Sequence, residues 1–226
     1  MGKRAVFLGD SITMGYGLAD IKTRFSTVFC EMVSMEEFNY GITGTLMARA
    51  GLSKSNSTSF MDRYTSMAEG DLVVVFGGTN DYFWSDTPIS SIVSDEDCYF
   101  SNAVSHLCDG LKTKYPGIPI VFITPYQMRG IGNFLGGKDA LSHGKHNTDQ
   151  LNYVGSSLAD YVQYLNEICD KKHIDILDLY HNFRADIAHS DSDEIEYSLD
   201  GCHPNPAGHR LIANALLSFL KKKHLI

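Results

Sequence analysis

Three residues in this sequence have the chemistry of a nucleophilic triad, and they lie at opposite ends of the chain. Ser11 closes the tripeptide Gly9–Ser11, whereas Asp200 and His203 are three residues apart near the carboxyl terminus. In such a triad the serine attacks a carbonyl carbon, the histidine takes its proton and the carboxylate orients the imidazole. One tight turn can therefore carry the base and its orienting carboxylate to a serine that is held early in the fold.

Neither end of this arrangement is specific when it is considered alone. The serine segment is not the Gly-x-Ser-x-Gly elbow of α/β-hydrolases, because position 13 is Thr13. A Gly-Asp-Ser tripeptide by itself more often caps a helix. The segment Asp200–Pro204 is equally compatible with the start of a helix at Asn205-Pro206. The triad hypothesis therefore needs support from other parts of the chain.

Two further segments contain groups that could bind the oxyanion of a tetrahedral intermediate. Gly41–Gly44 begins and ends with glycine, which lets a backbone N–H group approach a ligand closely. Gly77–Asp81 contains Asn80, whose amide is the kind of donor that an oxyanion hole uses. The alternatives are an ordinary turn at the first segment and an Asx turn with Asp81 as a cap at the second.

Short apolar runs bounded by turn residues predict the strands that would position these groups. They lack polar alternation, which is typical of strands buried on both faces of a parallel sheet. Helical patterns lie between them, and this alternation predicts a single α/β domain over residues 1–226, a three-layer α/β/α sandwich with a mostly parallel five-stranded sheet. The predicted strands are Ala5–Leu8, Leu72–Phe76, Ile118–Ile123, Ile174–Leu179 and a weaker one around Phe38–Tyr40. The predicted helices are Arg24–Met35, Ser59–Met67, Ala103–Leu111, Leu151–Cys169 and Ile212–Leu220.

Two irregular segments, Asp81–Asp95 and Pro125–Asn147, follow predicted strands. They should lie at the carboxyl ends of the sheet, where open α/β folds bind ligands. Tyr82, Phe83 and Trp84 in the first segment are candidates to line a substrate pocket, and the alternative is that they pack the loop.

The composition argues against several classes of function. The chain has 226 residues, 43% of them hydrophobic, and a formal net charge of -8, which disfavours a nucleic-acid partner. No apolar run approaches the roughly 20 residues of a membrane span. The five cysteines are scattered and form no Cys-x-x-Cys pair, and the first strand leaves no room for a signal peptide. These features predict a cytoplasmic protein with reduced thiols, with a trimmed secreted form as the alternative.

The sequence predicts no cofactor and no metal. Gly9, Gly15 and Gly17 do not form a dinucleotide-binding fingerprint, and there is no Gly-Lys-Ser or Gly-Lys-Thr phosphate loop. His143 and His146 lie in a glycine-rich loop without the carboxylate or thiolate pattern of a metal site.

Taken together, the Ser, Gly, Asn and His segments have the order and spacing of the SGNH hydrolases, also called the GDSL esterase/lipase family. The chain resembles that family from Arg4 to about Ala215, and the resemblance implies its flavodoxin-like fold. One departure is Ile12-Thr13, where many members have leucine after Gly-Asp-Ser. This change is conservative and affects no catalytic role.

The resemblance implies a role for each matching residue. Ser11 is the nucleophile, His203 is the general base and then acid, and Asp200 orients the imidazole. The backbone N–H groups of Ser11 and Gly44 and the side chain of Asn80 form the oxyanion hole. A further candidate for the substrate pocket is the residue before the nucleophile, Asp10.

These expectations converge on a serine esterase that acts on a small-molecule ester through an acyl-serine intermediate. Short acyl chains or O-acetyl groups, including those of carbohydrates, are the favoured substrates because the chain has no long apolar lid. A thioesterase, a lysophospholipase and a non-catalytic carbohydrate-binding domain are the alternatives. A flavodoxin-like nucleotide binder would share the sheet but lacks a phosphate loop. The sequence leaves the oligomeric state open.

Overall fold

The sheet is the element that gathers the candidate residues. The computed structural model describes residues 2–49, 58–83, 87–90, 95–128, 151–152, 154–183 and 197–226. Within them, five strands form one sheet in the order β2-β1-β3-β4-β5, and every neighbouring pair is parallel. The strands are β1 (Arg4–Gly9), β2 (Glu36–Gly41), β3 (Leu72–Phe76), β4 (Ile120–Ile123) and β5 (Asp175–Leu177).

Helices connect these strands and cover the sheet. In the described parts of the chain they are α1 (Ser11–Met14), α2 (Phe25–Val33), α3 (Phe60–Arg63), α4 (Thr79–Phe83), α5 (Phe100–Lys114), α6 (Leu158–Lys171), α7 (Leu179–Asn182) and α8 (Pro206–Lys222). Short 3-10 helices lie at Ile21–Thr23 and Tyr64–Ser66. No helix within these ranges has the length and hydropathy that crossing a bilayer would require.

The direction in which the chain leaves each strand explains why helices lie on both faces. From β1 the chain passes through α2 to the edge strand β2, crosses back to β3 and continues through α5 and α6 to β4 and β5. Right-handed crossovers that run in opposite directions along a sheet place their helices on opposite faces. Accordingly, α2 packs with α8, and α5 packs with α6. The predicted α/β three-layer fold is confirmed, with a sheet that is wholly parallel between the described strands.

The strand order reverses between β1 and β3, which are neighbours in the sheet. Open α/β sheets bind ligands just outside the carboxyl ends of the strands at such a point. β3 is buried along its whole length, and β1 is buried from Ala5 onward. Ser11 follows β1 and Asn80 follows β3, so the fold places both candidate residues beside the reversal point.

Several predicted elements have other boundaries in the structure, and in two cases a helix cap gives the reason. The helix predicted from Leu151 begins only at Leu158, because Ser157 and Asp160 form a capping box in which the Asp160 carboxylate accepts the Ser157 N–H at 2.7 Å. Leu151 lies outside the helix and is 66% exposed. The strand predicted over Ile174–Leu179 is shorter in the structure, Asp175–Leu177, because Asp178 caps α7.

Candidate active site

Ser11 lies in a tight turn that joins β1 to α1. The Asp10 carboxylate caps α1 by accepting the Ile12 N–H at 3.0 Å. Gly9 cannot be replaced by a larger residue, because an added Cβ would lie 1.9 Å from the Thr13 hydroxyl oxygen. As the first helical residue, Ser11 has an N–H group with no acceptor inside the helix. The turn therefore presents both the hydroxyl and the N–H of Ser11 at the carboxyl end of the sheet.

Asp200 and His203 lie in a second turn, just before α8. The Asp200 carboxylate accepts the backbone N–H groups of Cys202 at 2.9 Å and His203 at 2.7 Å. Gly201 has a φ of +89°, which glycine adopts without steric cost. The Ser198 hydroxyl accepts the Gly201 N–H at 2.6 Å. These contacts make the turn rigid and hold the carboxylate next to the imidazole.

The two turns meet through their side chains. His203 Nδ1 lies 2.6 Å from Asp200 Oδ2, and His203 Nε2 lies 3.0 Å from Ser11 Oγ. Burial favours a higher pKa for Asp200, but the hydrogen bonds from His203 and Cys202 outweigh it and hold that pKa below its ordinary value. An ionised Asp200 requires the proton on Nδ1, which leaves Nε2 free to accept from the serine hydroxyl. This geometry allows the imidazole to take the Ser11 proton.

The glycine and asparagine segments lie beside the serine. Gly44 has a φ of +74° within a turn in which the Thr45 N–H donates to the Ile42 carbonyl. Asn80 Nδ2 donates to the Thr45 carbonyl at 3.0 Å, and its contact with Asp10 Oδ2 is longer, at 3.4 Å. The second amide hydrogen is therefore only weakly engaged. Ser11, Gly44 and Asn80 line one cavity, as an oxyanion hole would require.

This cavity has a volume of about 180 Å³. Only one of the two described aromatic candidates lines it. Phe83 lines the cavity, whereas Tyr82 is fully buried and packs edge-on against Phe83 and Tyr161. Asp10 is also buried and does not line the cavity. Of the predicted pocket residues, the structure thus places Phe83 at the cavity and Tyr82 and Asp10 away from its surface. Trp84, His143 and His146 lie outside the described residues. The lining residues are Ser11, Tyr16, Thr43, Gly44, Thr79, Asn80, Phe83, Asp200, Cys202 and His203.

Tyr16 is a residue of this site that the sequence analysis missed. Its ring centroid lies 4.7 Å from that of His203 at an interplanar angle of 44°, and the residue is half-exposed at the cavity mouth. The signal in the sequence was an aromatic residue between Gly15 and Gly17, five positions after the serine. Such a ring restricts the orientation of the imidazole and shields one of its faces from water.

Two buried carboxyl groups lie behind the cavity. Burial raises the pKa of Asp10 to about 6 and that of Asp81 to about 7. Asp81 accepts the backbone N–H groups of Met47 at 2.9 Å and Ala48 at 3.0 Å. It thereby holds the chain that follows Gly44, which agrees with a structural role.

The raised pKa of Asp10 predicts a pH-dependent stability. An unfolded aspartate ionises near pH ~3.9, whereas the folded group keeps its proton to about pH 6. Between these values only the unfolded state loses this proton, so Asp10 lowers the free energy of unfolding as pH rises, with a contribution of about 3 kcal/mol from this group. Asp10→Asn should reduce this fall by that amount in urea unfolding curves at about pH 4 and about pH 8. The exposed Asp170→Asn is the control. An unchanged pH dependence in Asp10→Asn would contradict the prediction.

Removing the Asn80 amide should impair turnover more than substrate binding. An oxyanion donor acts mainly on the tetrahedral state, so Asn80→Ala is expected to lower kcat on the order of 10²–10³-fold with little change in KM. Steady-state kinetics with p-nitrophenyl acetate measures both constants. Asn166→Ala on α6 is the control, because its amide contacts Asp178, away from the cavity. A rise in KM at constant kcat would show that Asn80 binds the ground state instead.

Comparisons with known proteins identify the family of this chain. The model of the GDSL-like lipase/acylhydrolase family matches residues 7–211, and the chain belongs to this family of hydrolases. A crystal structure of a Lactobacillus plantarum protein is 29% identical, with a TM-score of 0.80 over 98% of this chain and 97% of that one. No curated protein matches the chain.

Two more distant structures share the fold. A Bacteroides ovatus protein described as a GDSL-like lipase is 18% identical, with a TM-score of 0.66 over 98% of this chain and 99% of that one. A carbohydrate acetylesterase family member from Sinorhizobium meliloti is 16% identical, with a TM-score of 0.66 over 99% of each chain.

Proposed function

We propose that the protein hydrolyses carboxylic esters of small molecules through an acyl-serine intermediate on Ser11. The observation that carries this proposal is the continuous hydrogen-bonded chain from Asp200 through His203 to the serine hydroxyl, which ends in a cavity also lined by Gly44 and Asn80. A nucleophile, a base and oxyanion donors in one cavity are the parts that acyl transfer needs. A non-catalytic binding domain would not need these groups to face the same cavity.

The reaction follows from the roles of these groups. Ser11 Oγ bonds to the ester carbonyl carbon while its proton passes to His203 Nε2. The carbonyl oxygen becomes an oxyanion, which accepts hydrogen bonds from the N–H groups of Ser11 and Gly44 and from the Asn80 amide. Collapse breaks the bond to the alkoxy oxygen, and His203 returns the proton to the leaving alcohol. Water then attacks the acyl-serine with the same base and releases the acid.

The size of the cavity favours a short acyl group. Its volume of about 180 Å³ lies below the range of roughly 300–1,000 Å³ that is usual for sites of drug-sized ligands. Phe83 forms an apolar wall, and the half-exposed Tyr16 stands at the mouth, where the alcohol part would leave. The resemblance in fold to a carbohydrate acetylesterase family member makes acetylated sugars worth testing first. Thioester and lysophospholipid hydrolysis remain the alternative activities.

The test is covalent labelling combined with a chain-length series. A fluorophosphonate should label the wild type at the peptide that contains Ser11, identified by mass spectrometry, and should not label Ser11→Ala. Ser218→Ala, an exposed serine on α8, should be labelled like the wild type. On p-nitrophenyl esters, turnover should be greatest for acetate and fall with longer chains. Equal labelling of Ser11→Ala would overturn the nucleophile, and a maximum at long chains would overturn the preference for short acyl groups.

A further inference from the structure

A buried arginine lies behind the candidate oxyanion hole. Arg63, the last residue of α3, is only 8% exposed and does not line the cavity. Its guanidinium donates to the Gly9 carbonyl at 3.1 Å, to the Thr45 hydroxyl at 2.9 Å and to the Tyr40 carbonyl. The same group lies over the Phe60 ring, 5.2 Å from its centroid. Arg63 is therefore packed against an aromatic face and hydrogen-bonded to two backbone carbonyls and one side-chain hydroxyl.

These three acceptors flank the two backbone donors of the oxyanion hole. Gly9 ends β1 two residues before Ser11. Tyr40 lies near the end of β2, before the turn that carries Gly44, and Thr45 directly follows that turn. The Thr45 carbonyl also accepts the Asn80 amide. Ser11 is thus two residues from an Arg63 contact, Gly44 is next to one, and Asn80 is hydrogen-bonded to one. A planar guanidinium can join such points with a fixed geometry that a single flexible amine cannot reproduce.

The charge of Arg63 is costly to bury at this position. Burial lowers the pKa of Arg63 to about 10, although Asp10 and Asp62 oppose the shift, and the group stays charged at neutral pH. Its Nε–H group has no acceptor among the described residues. Removing a cation from water without a bidentate carboxylate partner is unfavourable. The guanidinium provides a positive potential at the carboxyl ends of the strands, where negative charge would develop during ester hydrolysis.

We propose that Arg63 is a positioning residue of the oxyanion hole, which aligns the N–H groups of Ser11 and Gly44 by fixing Gly9 before the first donor and Tyr40 and Thr45 around the second. The inference rests on the proposed esterase function. Arg63 does not touch the substrate, so its loss acts through the position of the donors. Because these donors bind strongly only to the tetrahedral state, the loss appears in kcat and in the affinity for tetrahedral analogues, and not in KM.

Arg24 provides a matched control in the same chain. It is also partly buried and donates to the Glu37 carboxylate at 3.0 Å. Its one backbone contact near a proposed donor is a longer one, to the Met14 carbonyl at 3.4 Å, three residues after Ser11, and in the described part of the chain it makes no contact beside Gly44. Arg24→Met and Arg63→Met therefore each remove one internal guanidinium. Comparing them separates a loss of folding stability from a loss of alignment.

The experiment measures kcat and KM on p-nitrophenyl acetate, the inhibition constant of phenylboronic acid and the thermal midpoint. Boronic acids form a tetrahedral adduct with a serine, and one boron hydroxyl occupies the oxyanion position. Arg63→Met is expected to lower kcat on the order of 10²-fold and to weaken boronate inhibition by a similar factor, with KM within about twofold. Arg63→Lys keeps the charge but not the planar fork, and should recover only part of both losses. Arg24→Met should lower the thermal midpoint but keep kcat within about threefold.

Three results would overturn the inference. The first is an unchanged kcat in both Arg63 variants. The second is a loss of kcat in them without a matching loss of boronate affinity, and the third is an equal loss of kcat in Arg24→Met at the same thermal midpoint. If Arg63→Met does not fold, kcat, KM and boronate affinity are compared between Arg63→Lys and Arg24→Met instead. A failure of the esterase proposal has a different signature, because Ser11→Ala would then keep its turnover.

Discussion

Replacing Ser11 by alanine is expected to lower kcat for p-nitrophenyl acetate on the order of 10⁶-fold while the protein stays folded. The hydroxyl is the attacking group, because Ser11 is the cavity-lining residue whose oxygen lies within hydrogen-bond distance of His203 Nε2, at 3.0 Å. The Ser11 hydroxyl is bonded to His203, and alanine occupies the same turn without a larger side chain. Circular dichroism and the thermal midpoint report whether the fold is retained, and steady-state kinetics reports the loss.

A double-mutant comparison tests whether the triad acts as a unit. His203→Ala should be about as inactive as Ser11→Ala, and the combined variant should be no worse than either single one. Such non-additivity is expected because serine without a base, and a base without serine, both leave only the oxyanion donors and binding. Ser218→Ala should retain full activity. Multiplicative losses in the combined variant would show that the two residues act in separate steps.

Asp200→Asn is the second large effect, with an expected loss of kcat on the order of 10⁴-fold. The Asp200 carboxylate accepts three hydrogen bonds, two from backbone N–H groups and one from His203 Nδ1. An asparagine amide that faces Nδ1 favours the opposite tautomer, in which Nε2 carries the proton and cannot accept from Ser11. The turn keeps its shape because one carbonyl oxygen of asparagine still accepts the backbone donors. The loss should be measured as kcat across a pH series.

The chain contains a close structural control for this substitution. Asp178 caps α7, accepts the His181 backbone N–H at 3.0 Å and pairs with His181 Nδ1 at 2.8 Å, with the same three-residue spacing. This second aspartate–histidine pair does not line the cavity. Asp178→Asn should leave kcat unchanged. If it lowers kcat as much as Asp200→Asn does, the effect arises from general destabilisation and not from the tautomer of the catalytic base.

Much of the fold could be predicted because its signals are local. Runs such as Leu72–Phe76 are apolar throughout, and a strand at the centre of a parallel sheet needs this pattern. Boundaries were less accurate where a cap competes with hydrophobic periodicity. Leu151 continues the apolar pattern of α6, but the capping box at Ser157 starts the helix two turns later, and Asp178 ends β5 early in a similar way.

The sequence by itself determined which residues are candidates for catalysis, since acyl transfer needs particular side chains at the ends of strands and parallel strands gather those ends at one edge. Only the tertiary structure decided what surrounds them. Tyr82 and Phe83 are adjacent in α4, and the direction of each side chain from the helix sends one into the core and the other to the cavity. Tyr16 and Arg63 acquire their positions from contacts with His203 and Thr45, which are distant in sequence. Such contacts depend on how the elements pack: the glycines around Tyr16 mark an aromatic residue near the serine, but its partner His203 is set only by the packing of the two turns.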